Sequence, residues 1–318
     1  MITYILFIAG FVLLVYGANW LVDGAASIAK KHRISNVVIG LTVVALGTSS
    51  PELVVNLIAS FKGTADVAMG NILGSNISNI LLILGISAMI YPLAVTSNTK
   101  WKEVPLALLA AIVVGVLAND TFFDGISLSM IYRSDGIVLV AFFILFMYYT
   151  FSIARVGVLK EDVVIQQRPV WLSVVMILVG IGALVLGGKW IVDGAVVIAS
   201  QLGMSEAVIS LTIVAVGTSL PELATCVVAA YKKNPGIVIG NIIGSNIFNV
   251  FFVLGLSAVI KPLPFNPVLN FDIIVGIGAC LLLFVFLFFP RKMVLERWQG
   301  ALLLGLYVAY VVILLVRG

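Results

Sequence analysis

The sequence predicts an all-α membrane protein of about ten transmembrane helices arranged as two inverted five-helix repeats. Three observations predict it: a strongly apolar composition, a motif register that recurs at a fixed offset, and an odd number of spans in each recurring unit. Of the 318 residues, 62% are hydrophobic and 10% are charged, against about 25% charged in soluble domains. The mean hydropathy is +1.22. Apolar runs of about 20 residues, long enough to cross a hydrocarbon core of roughly 30 Å as helices, recur from end to end. They are centred near 2–28, 35–60, 65–91, 103–118, 135–154, 170–199, 206–230, 236–260, 270–289 and 298–316. The first run lacks a small-residue cleavage pattern and reads as a span, not a removable signal. The partner this composition implies is a lipid bilayer. The net charge of +4 comes from short basic clusters such as Lys30, Lys31 and Arg33, which fit topology signals and not a nucleic-acid surface. Cys226 and Cys280 lie in apolar runs with neither metal nor redox spacing.

The recurrence is at an offset of 170 residues. Val15–Ala29 falls on Val185–Ala199, and Gly47-Thr48-Ser49-Ser50-Pro51-Glu52-Leu53 on Gly217-Thr218-Ser219-Leu220-Pro221-Glu222-Leu223. Gly70-Asn71 with Gly74-Ser75-Asn76-Ile77 falls on Gly240-Asn241 with Gly244-Ser245-Asn246-Ile247, and Pro92-Leu93 still falls on Pro262-Leu263. A register kept without a gap over about 79 residues is a duplication. The expected organisation is a first repeat over 1–154, with its motif region at 40–85, a polar linker over 155–168, and a second repeat over 169–318, with its motif region at 210–255. Five spans per copy bring the second copy into the membrane from the opposite side. With the N-terminus outside, inner loops hold Lys30, Lys31, Arg33, Lys100, Lys102, Arg155, Lys160, Arg168, Lys232, Lys233, Arg291, Lys292 and Arg297. Only Lys62, Arg133, Lys261 and Arg317 fall outside, a bias that obeys the positive-inside rule.

Each G-T-S-x-P-E-L motif sits within an apolar segment. A carboxylate there costs at least about 2.5–3.5 kcal/mol, so Glu52 and Glu222 need compensation, yet neither motif contains a base. Pro51 and Pro221 lack an N–H and clash with the carbonyl four residues back, which predicts a break or kink. The freed carbonyls from Ala45 to Thr48 and from Ala215 to Thr218 must then face protein, water or an ion. The hydroxyls of Thr48, Ser49, Thr218 and Ser219 share the bend. Oxygen donors around two formal charges suit a hard cation such as Ca2+ or Na+. Asn71, Ser75 and Asn79 recur at i, i+4 and i+8 on one helical face, as do Asn241, Ser245 and Asn249. Gly70, Gly74, Gly240 and Gly244 are expected to admit a close backbone approach. Asn71, Asn76, Asn241 and Asn246 read as interhelical hydrogen-bonding groups. Ser75, Asn79, Ser245 and Asn249 are candidate ligands. Asp23 and Asp193 lie toward span ends and read as capping or interfacial groups, with Lys189 placed either to snorkel or to pair with Asp193. The absence of an H-E-x-x-H motif and of any intramembrane His argues against an intramembrane hydrolase.

Paired G-T-S-x-P-E-L motifs, each followed by G-N-x-x-G-S-x-x-x-N, resemble the two alpha repeats of the cation/Ca2+ exchanger superfamily, and most of all its prokaryotic Na+/Ca2+ exchanger branch. The resemblance implies an antiporter exchanging Ca2+ for Na+ by alternating access in a prokaryotic plasma membrane, with no enzymatic activity, cofactor or obligate protein partner. It implies that Glu52 and Glu222, with the carbonyls of Thr48 and Thr218, hold Ca2+. It assigns Na+ to the carbonyls of Ala45 and Ala215 and the hydroxyls of Ser49, Ser219, Ser75 and Ser245. Relatives that cotransport K+ have an aspartate where this chain has Asn249, so this site carries two carboxylates and not three. The large cytoplasmic regulatory domains of animal exchangers have no counterpart in the short central linker. H+/Ca2+ exchange remains open, because a buried glutamate can take a proton in place of a metal. A channel is the further alternative, disfavoured by the inverted repeats and the compact two-carboxylate site.

Overall fold

Proline-free apolar sequence runs without a break through α1 (Ile2–His32), and the basic Lys30, Lys31 and His32 in its last turn complement the negative end of the helix dipole. In the computed structural model, which describes residues 2–123, 125, 128–154, 166–201, 217–289 and 293–317, α1 lies against Val170–Gln201, α7 by chain order. The seam is built from small residues spaced by seven. A Cβ at Gly10 would stand 2.8 Å from the Gly187 carbonyl, one at Gly17 2.9 Å from the Gly180 carbonyl, and one at Gly24 2.7 Å from the Ser173 carbonyl. As one number rises by seven its partner falls by seven, so the two helices are antiparallel. Ser27 and Ser173 close the seam with a hydroxyl–hydroxyl bond of 2.9 Å.

The proline expected to break the next span does so. Asn36–Thr48 (α2) and Ser50–Lys62 (α3) meet at 47°, with Ser49 between them and Pro51 in the first turn of α3. Gly63, at φ 77°, closes α3 in the left-handed conformation that favours glycine. Then come α4 (Ala65–Ile90), α5 (Val104–Leu117) and α6 (Arg133–Ser152). Beyond α7 follow α8 (Leu220–Tyr231), α9 (Pro235–Ile260), α10 (Asn270–Phe286) and α11 (Arg297–Arg317). The bounds of α4 and α9 differ by 170 at both ends. Each holds a π turn, at Ser78–Ile83 and Phe248–Leu254, with Asn79 and Asn249 as second residues. Such local widening of a helix occurs often at functional sites.

Among the described residues, seven helices are long and apolar enough to cross a membrane, or eight with the bent pair taken as one span. The span expected at 103–118 is a helix of 14 residues continued backward by a π turn at Thr99–Glu103. Of that expected at 206–230, α8 is the described part, and residues 202–216 lie outside the described residues. The 155–168 linker likewise falls outside them apart from 166–168. Burial sorts the helices into layers. In α9 and α4, 94% and 72% of the central window is buried, against 22–33% in α1, α6, α7, α10 and α11. The polar α4 and α9 therefore form the interior, and the uniformly apolar helices face outward. Two short antiparallel ladders clip the periphery: Leu93–Ala94 (β1) pairs with Val294–Leu295 (β4), and Met130–Ile131 (β2) with Leu263–Pro264 (β3). Since β1 and β3 occupy equivalent positions, each half is clipped by a strand of the other.

Charges at the helix ends are not used symmetrically. Asp23 on α1 accepts from Lys232 Nζ at 2.7 Å, the only ion pair among the described residues. Their counterparts at the offset, Asp193 and Lys62, are not joined, and of the two expectations for Lys189 the pairing with Asp193 is not seen. Consistently, α1 packs on α8, whereas α7 makes no comparable contact with α3.

Candidate functional site: paired carboxylates in broken helices

The bend before Pro51 starts a new helix, so Glu52 falls in the first turn of α3; Glu222 falls likewise in the first turn of α8, which follows the turn at Thr218 and Ser219, residues 202–216 lying outside the described residues. The helix dipole favours negative charge there, which compensates the carboxylates without a basic partner. Both are buried, as are Thr48, Ser49, Ser75, Asn79, Ser219, Ser245 and Asn249, while Thr218 is partly buried.

Hydrogen bonds cross between the halves, and two pairs of them are related by the offset. Thr48 Oγ1 donates to Asn241 Oδ1 at 3.0 Å, and Thr218 Oγ1 to Asn71 Oδ1 at 3.2 Å. Ser49 Oγ lies 2.9 Å from Ser245 Oγ, and Ser219 Oγ 3.3 Å from Ser75 Oγ. Ser49 donates to Glu222 Oε1 at 2.8 Å, and Ser75 to Glu52 Oε1 at 3.4 Å. The cluster thus holds Glu222 with Ser49 and Ser245, and Glu52 with Ser75 and Ser219, as two parallel hydrogen-bonded sets, beside Thr48 on Asn241 and Thr218 on Asn71. Asn79 and Asn249 adjoin it through helix packing: the π turn holding Asn249 packs on α3, and that holding Asn79 on α8.

Four oxygens here are buried with no hydrogen-bond partner: Oε2 of Glu52, Oε2 of Glu222, Oδ1 of Asn79 and Oδ1 of Asn249. Buried polar atoms are ordinarily satisfied, and leaving one unpaired costs about 1–3 kcal/mol. Four acceptors, two of them on carboxylates, suit a hard cation. Among the described residues no three His, Cys, Asp or Glu side chains come together, so the two glutamates carry the formal charge of this cluster.

Two sequence expectations are modified. The Ala45 carbonyl is not simply free, since it accepts from Ser49 N at 3.0 Å and has Thr48 Oγ1 3.4 Å away; the Gly47 carbonyl released by Pro51 takes the Ser50 hydroxyl at 2.8 Å. Ala215 lies outside the described residues. Gly240 and Gly244 do admit close packing, a Cβ on Gly244 reaching within 2.7 Å of the Leu41 carbonyl, whereas Gly70 and Gly74 meet no described atom within 4 Å. Sequence reasoning passed over Asn56, whose Oδ1 accepts from Asn71 Nδ2 at 2.7 Å. At the equivalent place Cys226 Sγ accepts from Asn241 Nδ2 at 3.2 Å. The i+4 spacing of both from the glutamates was the available signal.

Fold and site together define a multi-pass membrane transport protein with two buried carboxylates in the first turns of α3 and α8. The sequence profile described as sodium/calcium exchanger protein matches residues 2–152 and 172–316, and the chain belongs to that family. It is 35% identical to the putative antiporter CaxA of Alkalimonas amylolytica over 98% of both chains. It is 31% identical to the sodium/calcium exchanger MaX1 of Methanosarcina acetivorans, again over 98% of both. Solved structures of the sodium–calcium exchanger NCX_Mj, here one soaked with Na+ and Sr2+, superpose with a TM-score of 0.85 at 35% identity, covering 98% of each chain.

Proposed function

We propose that this chain is a secondary antiporter that exchanges Ca2+ for Na+ by alternating access, with Ca2+ held between Glu52 and Glu222. The observation that carries the reading is the set of four unpartnered buried oxygens on Glu52, Glu222, Asn79 and Asn249. The Thr48 and Thr218 carbonyls complete the Ca2+ shell, and Na+ uses the Ala45 and Ala215 carbonyls with the hydroxyls of Ser49, Ser219, Ser75 and Ser245. Two inverted five-helix repeats, 1–154 and 169–318, frame the site. The antiparallel run of α1 against its counterpart α7 and the offset-related pairing of hydrogen bonds support the inversion. Substrate sites where the broken helices of such repeats meet are a construction of secondary transporters. The deciding experiment is Ca2+ uptake into proteoliposomes loaded with Na+, with and without a pH gradient. Uptake driven by Na+ alone is expected, and uptake that follows only the pH gradient replaces Na+ with H+ as the counter-ion.

In the membrane, the N-terminus and Arg317 face outside and the linker at 155–168 faces inside, as the basic loops dictate. A single cysteine in that linker is expected to react with an impermeant reagent only after the cells are opened. Labelling in intact cells reverses the orientation.

Acid is expected to inhibit exchange, because a proton on either glutamate removes a charge that Ca2+ requires. Lowering the pH should raise the Ca2+ concentration needed for half-maximal flux, and raising the Ca2+ concentration should restore the rate. A flux that is flat from mildly acidic to alkaline pH contradicts the site.

Potassium is expected to be unnecessary. Ca2+ between Glu52 and Glu222 already balances the two carboxylates, and Asn249 offers an oxygen without charge, so an added K+ leaves excess charge in a low-dielectric site. Na+-driven Ca2+ flux in K+-free medium should equal that with K+ for the natural protein. Asn249→Asp is expected to create a K+ response. A natural protein that is silent until K+ is added refutes the charge balance.

A further inference from the structure

Whether a carboxamide helps or repels a cation depends on which end it presents, and its oxygen and NH2 have nearly the same shape. Asn79 and Asn249 are buried at the π turns of α4 and α9, where each has one partner. Asn79 Nδ2 donates to Asn246 Oδ1 at 2.9 Å, and Asn249 Nδ2 to Asn76 Oδ1 at 3.1 Å. The ends of Asn76 and Asn246 are fixed in turn by groups that cannot reverse. Asn76 Nδ2 donates to the Asn246 backbone carbonyl at 3.2 Å, and Asn246 Nδ2 to the Asn76 carbonyl at 3.3 Å. A backbone carbonyl only accepts, so each of these amides must turn its NH2 toward the other's main chain and its oxygen toward Asn249 or Asn79. Those neighbours must answer with NH2. Their oxygens are left pointing away from the clamp, buried and unpartnered. The donor direction around the four amides is therefore set by two main-chain carbonyls.

We propose that Asn76 and Asn246 are positioning residues for cation selectivity: reciprocally clamped between the halves, they hold Asn249 and Asn79 with oxygen, not NH2, toward the ion. This deepens the assignment of Asn79 and Asn249 to the cation site and rests on it. Without the clamp, either carboxamide can turn its NH2 inward, replacing an attractive dipole by a repulsive one. Residues that orient metal ligands typically change affinity by about 10–100-fold when removed.

The test is a double-substitution cycle read by Ca2+ binding to the purified full-length protein in K+-free buffer, alongside flux in proteoliposomes. Asn76→Ala is expected to raise the half-saturating Ca2+ concentration by about 10-fold with maximal flux less affected. In an Asn249→Asp background both ends of the side chain are oxygens, so orientation no longer matters and the same substitution should change affinity by less than about 2-fold. A role in packing alone predicts equal losses in both backgrounds, which overturns the proposal. The counterpart cycle, Asn246→Ala with Asn79→Asp, serves if the first pair does not fold. Single Asn79→Ala and Asn249→Ala variants separate the two layers of inference. If both bind Ca2+ normally, these amides are not ligands and the proposal falls with that assignment. If they bind weakly while Asn76→Ala and Asn246→Ala bind normally, the ligand assignment stands and the positioning role is wrong.

Discussion

Glu52→Gln and Glu222→Gln are each expected to abolish Na+-driven Ca2+ flux in a protein that still inserts and folds. Glutamine keeps the size of the side chain and an oxygen to accept the hydroxyl that now reaches each carboxylate, Ser75 for Glu52 and Ser49 for Glu222. What it removes is one of two charges, half of the site's capacity to neutralise a divalent ion. The folded state loses little, because a charge within the membrane costs at least about 2.5–3.5 kcal/mol and its removal relieves that cost. Flux in proteoliposomes together with elution and melting of the purified variants checks both halves of the statement. Full exchange by both single variants would falsify the assignment of the site.

A covalent tie between positions 23 and 232 is expected to arrest exchange reversibly. The Asp23–Lys232 pair fastens α1 to the end of α8, while the equivalent Asp193 and Lys62 stand apart. If the two halves exchange surroundings as access alternates, the second pair closes when the first opens. A half-exposed ion pair contributes only about 0–1 kcal/mol, little enough to break and remake in every cycle. A cross-link cannot do so. Asp23→Cys with Lys232→Cys, joined by a short bis-thiol reagent that dithiothreitol cleaves, should lose flux on joining and regain it on cleavage. The native Cys226 and Cys280 are buried, which directs the reagent to the new pair. Undiminished flux in the cross-linked protein rules out movement of α1 against α8 as part of the cycle.

Much of this arrangement was legible in the sequence because its causes are local. Pro51 removes a donor and obstructs a carbonyl within one turn, and the 47° bend follows. The i, i+4, i+8 stripe of Asn71, Ser75 and Asn79 requires only helical periodicity. What periodicity cannot supply is which stripe faces which bend. The bonds from Thr48 to Asn241 and from Thr218 to Asn71 join residues more than 140 apart in the chain, and follow from how the two copies are docked. The π turns were hidden for a related reason: one extra residue in a helical turn leaves no compositional mark and is stabilised by packing with the opposite half. Asn76 and Asn246 looked like ordinary interhelical glue, and each bond they make is of that kind. Their bearing on Asn79 and Asn249 emerges only from the direction of donation around all four amides.

The lack of any fixed cation beside Glu52 and Glu222 bears on leakage. A lysine or arginine in the cluster would neutralise the empty carrier and let it reorient unloaded, dissipating one gradient without building the other. If Glu52 and Glu222 hold the cargo, as proposed, then with no resident counter-charge among the described residues the unloaded and unprotonated site carries a net negative charge, which is costly to isolate from water in a low dielectric. Arriving cargo supplies the neutrality that reorientation needs. On that assignment the charge of the site itself opposes slippage, and a proton bound in place of cargo is the one way an otherwise empty carrier escapes that penalty.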